Sequence, residues 1–300
     1  MADRSLADFL RARRKPVERA LRRSVDALAS GVSPSLGAAV RAGVLSGGKR
    51  LRPILLVVAY EEVGAPPAGS LYDLAAAVEL IHAYSLVHDD LPCMDDAPLR
   101  RGSPTVHTVH GIGTATAAGA LLIPWAARQA YAASRALGRT EEQARDIAAY
   151  LLEASGAGGM IGGQALDLLG EGRSLDEGEL VELHALKTGA LLAASLVMGA
   201  MAAGAADDRL VALGVFGKDI GLAFQVTDDV LDATATAEVL GKRPSDAEMR
   251  KSTYVALLGV EGARAHARRL VARAMAALDR AGLAAPRLRQ LARYIVERRR

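Results

Sequence analysis

The sequence is poor in the residues that build sheets, disulfides and linkers. Aromatic residues make up only 4% of its 300 residues, and β-branched or aromatic runs bounded by turn residues are scarce, which argues against a sheet protein. The single cysteine, Cys93, excludes an intrachain disulfide framework and suits a reducing cytoplasm. Because no Pro-, Gly- or Ser-rich linker and no repeat interrupts the chain, we expect one domain over residues 1–300.

Charge and hydropathy point to a soluble protein. The net charge is only +3, with basic residues scattered among acids, so nothing calls for nucleic acid and we expect none as a partner. The first residues contain acids and lack an apolar core, unlike a signal peptide. Thr188–Ala206 is uncharged over 19 residues, but its Ala and Gly content fits the buried helix of a bundle, and we expect no transmembrane segment.

What is abundant is helical periodicity. Ala, Leu, Val and Arg dominate, and apolar residues recur at three- and four-residue spacing. This predicts an all-α bundle, with breaks marked by Pro and Gly. The predicted helices cover 4–29, 35–44, 49–64, 70–90, 107–136, 140–157, 176–203, 207–232, 250–281 and 284–298.

Two acidic boxes interrupt apolar segments. In "FQVTDDVLD" (224–232), helical spacing places Asp228, Asp229 and Asp232 at about 300°, 40° and 340° from Gln225, on one stripe of a helix. In "HDDLPCMDD" (88–96), Asp89 and Asp95 do not share a helical face. Because Pro92 disfavours helix in the residue before it, the helix should end near Asp90 and let the chain return Asp95 towards Asp89.

Carboxylates without Cys or His at zinc spacing favour a hard cation. Mg²⁺ is typically held by one or two carboxylates plus substrate phosphates. Forked arginine donors nearby suit phosphate oxygens; they are Arg50 and Arg52 in "GGKRLRP" and Arg100 and Arg101 after the first box. The two boxes therefore indicate a Mg²⁺–phosphate site.

Each feature also has an ordinary structural interpretation. One DDxxD arises by chance on a surface helix, Lys49 and Arg52 could be a charged helix start, and His82 could be a packing residue. Two boxes about 140 residues apart, each with apolar flanks and a basic cluster nearby, favour a binding site over surface decoration.

The ordered set "GGKRLRP", "IHAYSLVHDDLPCMDDAPLRRGSPTVH", "GGQALDL", "KTGAL", "GLAFQVTDDVLD" and "RKSTY" resembles the short-chain trans-isoprenyl diphosphate synthases, of the bacterial farnesyl and geranylgeranyl type. The resemblance runs from about residue 45 to the C-terminus. It implies an all-α isoprenoid synthase-type bundle, a homodimer in the cytoplasm, and two aspartate boxes that face each other across a central cavity.

The resemblance also implies roles for individual residues. Several Mg²⁺ ions would be held by Asp89, Asp95 and Asp228, supported by Asp90, Asp229 and Asp232. The allylic diphosphate would contact Arg100, Lys187, Thr188, Gln225 and Lys242. Isopentenyl diphosphate would contact Lys49, Arg52, His82 and Arg101. The acids Asp89, Asp90, Asp95 and Asp228, with Arg100, Lys187 and Lys242, would carry catalysis, and Gln164 and Asp167 match polar positions that line the family's cavity.

Product length in such enzymes depends on the residues four and five positions before the first aspartate, here Ser85 and Tyr84. A tyrosine should form a floor and stop elongation at C15, farnesyl diphosphate. Three departures weaken that product prediction: Ala97 and Pro98 replace the usual further acids, and Ala120 replaces an aspartate. The alternatives are a geranylgeranyl diphosphate synthase, a non-catalytic homologue or regulatory subunit, and a cyclase or head-to-head condensing enzyme.

Overall fold

A computed structural model describes residues 2–66, 68–234 and 252–297, and these are helical nearly throughout. The only strands among them are β1 (Leu99–Arg100) and β2 (Ser103–Pro104), a two-residue antiparallel pair. The prediction of an all-α fold is confirmed. The helices are α1 (Ala2–Ala29), α2 (Pro34–Leu45), α3 (Leu51–Glu62), α4 (Gly69–Asp89), α5 (Val106–His110), α6 (Ile112–Ala136), α7 (Glu141–Ser155), α8 (Met160–Gly170), α9 (Glu177–His184), α10 (Ala190–Ala203), α11 (Asp207–Thr234), α12 (Tyr254–Arg280) and α13 (Pro286–Glu297).

The chain divides into two compact units. Unit 1 contains the described residues up to Glu61, with Ala65–Leu152 and Met201–Gly204. Its centre is α4, which packs against α1, α2 and α6. A helix surrounded on several sides must be apolar on several faces, and α4 is buried from Leu74 to Ile81 without a break. This burial makes the single acid in that run, Glu79, conspicuous.

Unit 2 contains Glu62–Gly64, Glu153–Ala200 and the described residues from Ala205 onward. Its main packing is between α11 and α12. Gly259 interrupts α12 with a positive φ of 68°, a conformation that glycine adopts without the usual Cβ clash. The Glu62 carboxylate accepts a hydrogen bond of 2.8 Å from the Arg287 backbone N–H at the start of α13.

The structure differs from the predicted helices at three places. A helix that the pattern did not predict, α8, occupies 160–170. The predicted helix 107–136 is two helices, because Gly111 has a φ of 81°. The predicted helix 176–203 contains a π-helical turn at Ala185–Gly189 between α9 and α10. The start of the predicted helix 250–281 lies outside the described residues, and the described helix begins at Tyr254.

Two segments, Glu177–Ala203 and Asp207–Thr234, are long and apolar enough to cross a membrane by length and composition. Most of each apolar stretch is buried, 67% and 61% respectively. That is the pattern of core helices in a soluble protein.

Candidate active site

The first acidic box sits where α4 ends. Asp89 is the last residue of the helix and Asp90 caps it. The chain then turns back, so that the Asp95 backbone N–H donates to the Asp89 carbonyl at 2.9 Å. The expected return of Asp95 towards Asp89 is thereby confirmed. One Asp95 carboxylate oxygen, Oδ1, is buried and has no hydrogen-bond partner among the described residues.

Asp90 and Arg100 form an ion pair beside this turn. The Asp90 carboxylate is 4% exposed, and Arg100 donates to it from Nε at 2.8 Å and 3.0 Å and from Nη2 at 2.7 Å. Burial lowers the pKa of Arg100, but the bond to Asp90 and the charges of Asp90, Asp89 and Asp95 outweigh it and raise the pKa overall. Asp90 therefore holds a cation beside the other two acids.

The "GGKR" loop of unit 1 is held in place by a buried arginine. Arg50 donates from Nη1 to Glu79 at 2.8 Å, from Nε to Glu18 at 2.9 Å and from Nη2 to the Val44 carbonyl at 3.0 Å. Its φ of 53° is unusual for a residue with a side chain. These three bonds compensate for that backbone strain and fix the loop that carries Lys49 and leads into α3, on which Arg52 lies.

Arg101 reaches the same loop. Its guanidinium donates to the Gly47 carbonyl. A Cβ at Gly48 would lie only 2.7 Å from Arg101 Nη1, and Gly48 has a φ of 130°. The glycine pair therefore provides both the turn and the space for Arg101.

Arg52 and His82 lie together and are half-buried. Arg52 Nη1 and His82 Nε2 are 3.5 Å apart, a long contact. Burial, followed by the positive charges of Arg52, Arg101, Arg100 and Arg50, holds the pKa of His82 well below its ordinary value, so the ring is neutral at pH 7. Arg52 Nε and His82 Nδ1 are both buried without a hydrogen-bond partner among the described residues.

Arg101 is also close to other positively charged side chains. Burial and the neighbouring charge of Arg50 lower its pKa, with Arg100 and Arg14 adding to the effect and Glu79 opposing it. Cations that repel one another and buried donors that lack acceptors within the protein are the features of a site that binds an anion. Lys49 is exposed on the same loop.

The predicted floor residues lie on α4 before the box. Tyr84 is buried, and burial together with the charge of Asp89 raises the pKa of its hydroxyl to about 12. It therefore stays neutral over the physiological range. The Ser85 hydroxyl donates to the His82 carbonyl at 3.0 Å, a bond within the helix.

Unit 2 contains a pocket of about 250 Å³ that combines apolar and polar walls. Five predicted residues line it: Asp167, Lys187, Thr188, Gln225 and Asp229. The apolar side is formed by Leu175, Leu180 and Leu183. Lys187 Nζ donates to Asp167 at 2.5 Å, and Thr188 Oγ1 donates to Gln225 Oε1 at 3.3 Å.

The π-helical turn presents Lys187 and Thr188 to that pocket. It is pressed between two helices at positions that only glycine can occupy. A Cβ at Gly163 of α8 would lie 2.1 Å from the Lys187 backbone nitrogen, and one at Gly221 of α11 would lie 2.7 Å from the Gly189 Cα. Single π turns within α-helices are frequent at functional sites. Beside Gly163, both amide atoms of the buried Gln164 lack a hydrogen-bond partner among the described residues.

The second acidic box lies on α11, which continues unbroken to Thr234, so the helical spacing predicted for it is confirmed. Asp228 and Asp232 are half-buried and Asp229 is buried. Asp229 Oδ2 accepts a hydrogen bond of 2.7 Å from the Tyr254 backbone N–H. Asp229 therefore ties the start of α12 to α11, in addition to the metal role that the resemblance implies.

Within residues 2–66, 68–234 and 252–297, no three His, Cys, Asp or Glu side chains form a ready-made metal cluster. Mg²⁺ bound through one or two carboxylates and substrate phosphates needs no such cluster. The buried Asp95 Oδ1 is an acceptor that such an ion would satisfy. Lys242, which was predicted to contact the allylic diphosphate, lies outside the described residues. That the two boxes face each other stays a prediction.

Sequence reasoning missed several supporting residues. Glu79 and Glu18 hold Arg50, Gly163 gives the π turn its space, and the Tyr254 backbone binds Asp229. Only Glu79 had a signal in the sequence, as the one acid inside the apolar run "LAAAVELI".

Comparison with known proteins identifies the family of this chain. Residues 33–282 match the family model for polyprenyl synthetase. The chain is 44% identical over 264 residues to the farnesyl diphosphate synthase of Escherichia coli (strain K12), covering 85% of this chain and 87% of that protein. It is 40% identical over 296 residues to the dimethylallyltranstransferase of Fischerella ambigua (strain UTEX 1903), covering 98% and 84%.

A solved structure shares the fold. The geranylgeranyl pyrophosphate synthetase of Pyrococcus horikoshii Ot3 superposes with a TM-score of 0.85 at 28% identity, covering 99% of this chain and 100% of that one. The predicted isoprenoid synthase-type helical fold is confirmed. The similar proteins carry the names of enzymes with different product lengths.

Proposed function

Because this chain belongs to the polyprenyl synthetase family and is a trans-prenyltransferase, we propose that it joins isopentenyl diphosphate head-to-tail to an allylic diphosphate and makes mainly farnesyl diphosphate. One observation carries the proposal: unit 1 holds a cluster of cations with unsatisfied buried donors next to an acidic turn. Such a cluster is suited to a diphosphate.

Isopentenyl diphosphate binds to the cations of the "GGKR" loop. Arg52 Nε and the His82 ring are the buried donors that its phosphate oxygens satisfy, and Lys49 and Arg101 add charge. Because His82 Nε2 faces the Arg52 guanidinium, which can only donate, Nε2 is the acceptor and Nδ1 carries the hydrogen. A neutral His82 therefore offers a donor from Nδ1 towards an anion.

The allylic diphosphate is bound through the acidic boxes. Asp89, Asp95 and Asp228 would hold Mg²⁺, with Asp90, Asp229 and Asp232 in support, while Arg100, Lys187, Thr188, Gln225 and Lys242 contact the phosphate oxygens. When bound, Mg²⁺ would offset negative charge that builds on the departing diphosphate. Arg100 and Lys187 add to that effect, because a fixed cation in a partly desolvated site stabilises developing charge more than water does.

The reaction breaks the allylic C–O bond, and the bonding electrons leave with the diphosphate. The double bond of isopentenyl diphosphate supplies the electron pair of the new C–C bond, and a proton is lost to restore a double bond. The family resemblance implies that the released diphosphate takes this proton. Apolar walls exclude water from the cationic carbon.

Tyr84 supports a C15 product. It lies five residues before Asp89, which corresponds to about 7.5 Å along α4 at the usual helical rise. A buried, neutral ring at that depth would block an elongating chain. Ser85, the neighbouring position that the resemblance singles out, has a small side chain that bonds within the helix.

The test is chromatographic sizing of products from the purified protein with Mg²⁺, dimethylallyl diphosphate and isopentenyl diphosphate. We expect C15 from the wild type, longer products from Tyr84→Ala and an unchanged C15 product from the control Tyr84→Phe. Unchanged products with Tyr84→Ala would refute the floor, and C20 from the wild type would favour a geranylgeranyl synthase. Failure to release diphosphate would favour a regulatory homologue, and turnover of a preformed allylic diphosphate without isopentenyl diphosphate would favour a cyclase or a head-to-head enzyme.

We also propose a cytoplasmic homodimer in which both units act as one domain. The continuous family match over 33–282 and the single free Cys93 support this interpretation. Light scattering on the purified protein measures its mass: a value near twice 31.3 kDa is expected, and a value near 31.3 kDa would refute the dimer.

A further inference from the structure

His88 lies between the predicted floor and the first acidic box, one turn after Tyr84 and one residue before Asp89. Its ring meets the Tyr84 ring edge to face, with centroids 5.5 Å apart and an interplanar angle of 83°. Its Nε2 lies 3.0 Å from the Thr116 carbonyl oxygen on α6. A carbonyl only accepts, so Nε2 carries the hydrogen. The His88 ring is thus held by the hydrogen bond from its Nε2 to α6, and it packs against the Tyr84 ring.

Gly119 on α6 leaves the space that the His88 ring occupies. A Cβ at Gly119 would lie 2.3 Å from His88 Nε2 and 2.4 Å from Cδ2, distances at which the ring must move. Gly119 has ordinary helical geometry, so its backbone does not require glycine. Gly113 on the same helix has nothing within 4 Å of its Cβ position. The contact with His88 is therefore a specific reason for glycine at 119.

We propose that His88, seated against Gly119, is a positioning residue that fixes the Tyr84 ring and thereby sets product length. This inference rests on the proposed function, because it concerns the floor of the same substrate channel. An aromatic side chain blocks a growing chain only while it keeps one rotamer, and the Tyr84 rotamer is restricted by the ring packed against it. His88 supplies that ring and is itself fixed by α6.

Displacing the His88 ring should allow the Tyr84 side chain to adopt other rotamers, while Tyr84 itself remains in place. Gly119→Ala forces the ring off Gly119 and breaks its bond to Thr116, and His88→Ala removes the ring. Loss of one edge-to-face contact would raise the ratio of C20 to C15 product by roughly two- to tenfold. If His88 only packs the two helices together, either variant would lower stability and leave this ratio unchanged.

The experiment measures the ratio of C20 to C15 product at matched turnover for wild type, Gly119→Ala, His88→Ala and the double variant, with Gly113→Ala as control. We expect both single variants to raise the ratio, the double variant to raise it no further than His88→Ala does, and the control to match the wild type. An unchanged ratio in His88→Ala would overturn the inference, as would additive single effects, because two changes that act through one contact are not additive.

Folding is followed in the same samples by thermal unfolding. If Gly119→Ala does not fold, His88→Ala still tests the inference, since it adds no atoms between α4 and α6. Tyr84→Ala separates this inference from the proposed function. Longer products from Tyr84→Ala with an unchanged ratio in His88→Ala would defeat only the role of His88. Unchanged products from Tyr84→Ala would defeat the floor itself.

Discussion

The two glutamates that bind Arg50 allow a matched test of what fixes the "GGKR" loop. Glu79 is 4% exposed and Glu18 is 22% exposed, and they accept from the same guanidinium at 2.8 Å and 2.9 Å. Removing one partner of a buried pair typically costs about 3–5 kcal/mol. Here Glu18 remains and glutamine can still accept a hydrogen bond, so we expect Glu79→Gln to lower the free energy of unfolding by about 2–3 kcal/mol.

The control, Glu18→Gln, removes a more solvated charge from the same guanidinium and should cost about 0.5–1 kcal/mol. Its effect should also depend on pH. Burial raises the pKa of Glu18, but the bond from Arg50 and the charges of Arg50 and Arg14 outweigh it and lower the pKa below 4.5. The stabilisation is therefore present above pH 4.5 and lost as the pH falls through the lowered pKa of the folded state.

Urea unfolding at pH 7 measures both losses, and the slope m should stay constant if only stability changes. The loop that Arg50 holds carries Lys49 and leads into α3 just before Arg52, so Glu79→Gln should raise the KM for isopentenyl diphosphate several-fold while kcat changes less. Equal stability losses in the two variants would refute the assignment of Glu79 as the principal anchor. A loss of kcat without a change in KM would refute the link from the anchor to the binding loop.

Three further predictions follow from the site. Gly163→Ala should lower the free energy of unfolding by about 2 kcal/mol or more, because its Cβ would clash with the Lys187 backbone and a shift of either helix would disrupt packing. The control Gly158→Ala, where the space is open, should leave stability unchanged, and chemical denaturation measures both variants. His82→Asn should give a profile of kcat/KM for isopentenyl diphosphate with the same shape as the wild type from pH 6 to 8, because the wild-type imidazole is already neutral; a wild-type inflection that the variant lacks would contradict this. Chelation with EDTA should abolish turnover and added Mg²⁺ restore it, measured by released diphosphate, whereas full activity in EDTA would exclude the metal.

The long helices could be predicted because periodicity in sequence reflects which face is buried. Helix α8 could not, because the segment "GAGGMIGGQ" (156–164), within which it begins, has five glycines, each of which disfavours helix. The structure gives three of them a packing role: a Cβ would lie 2.1 Å from the Ala154 carbonyl oxygen at Gly159, 1.9 Å from the Ala157 carbonyl oxygen at Gly162 and 2.1 Å from the Lys187 nitrogen at Gly163. Close backbone packing therefore overrode local propensity, and the π turn against which α8 packs escaped prediction for the same reason.

The site was predictable wherever charge appeared in an apolar helix, since such a violation of patterning indicates function or a buried partner. The sequence could not distinguish these two cases, because the distinction lies in contacts between distant positions. In "GGKRLRP", Arg50 has its donors bound by Glu18, Glu79 and Val44, whereas Arg52, two residues later, keeps a buried Nε without a partner among the described residues. The first box divides in the same way, since Asp90 is bound by Arg100 while Asp95 keeps an unsatisfied oxygen. We therefore interpret a motif of this kind as a mixture of residues that hold the local structure and residues proposed to bind substrate or metal, and the unsatisfied atoms are our criterion for the second group.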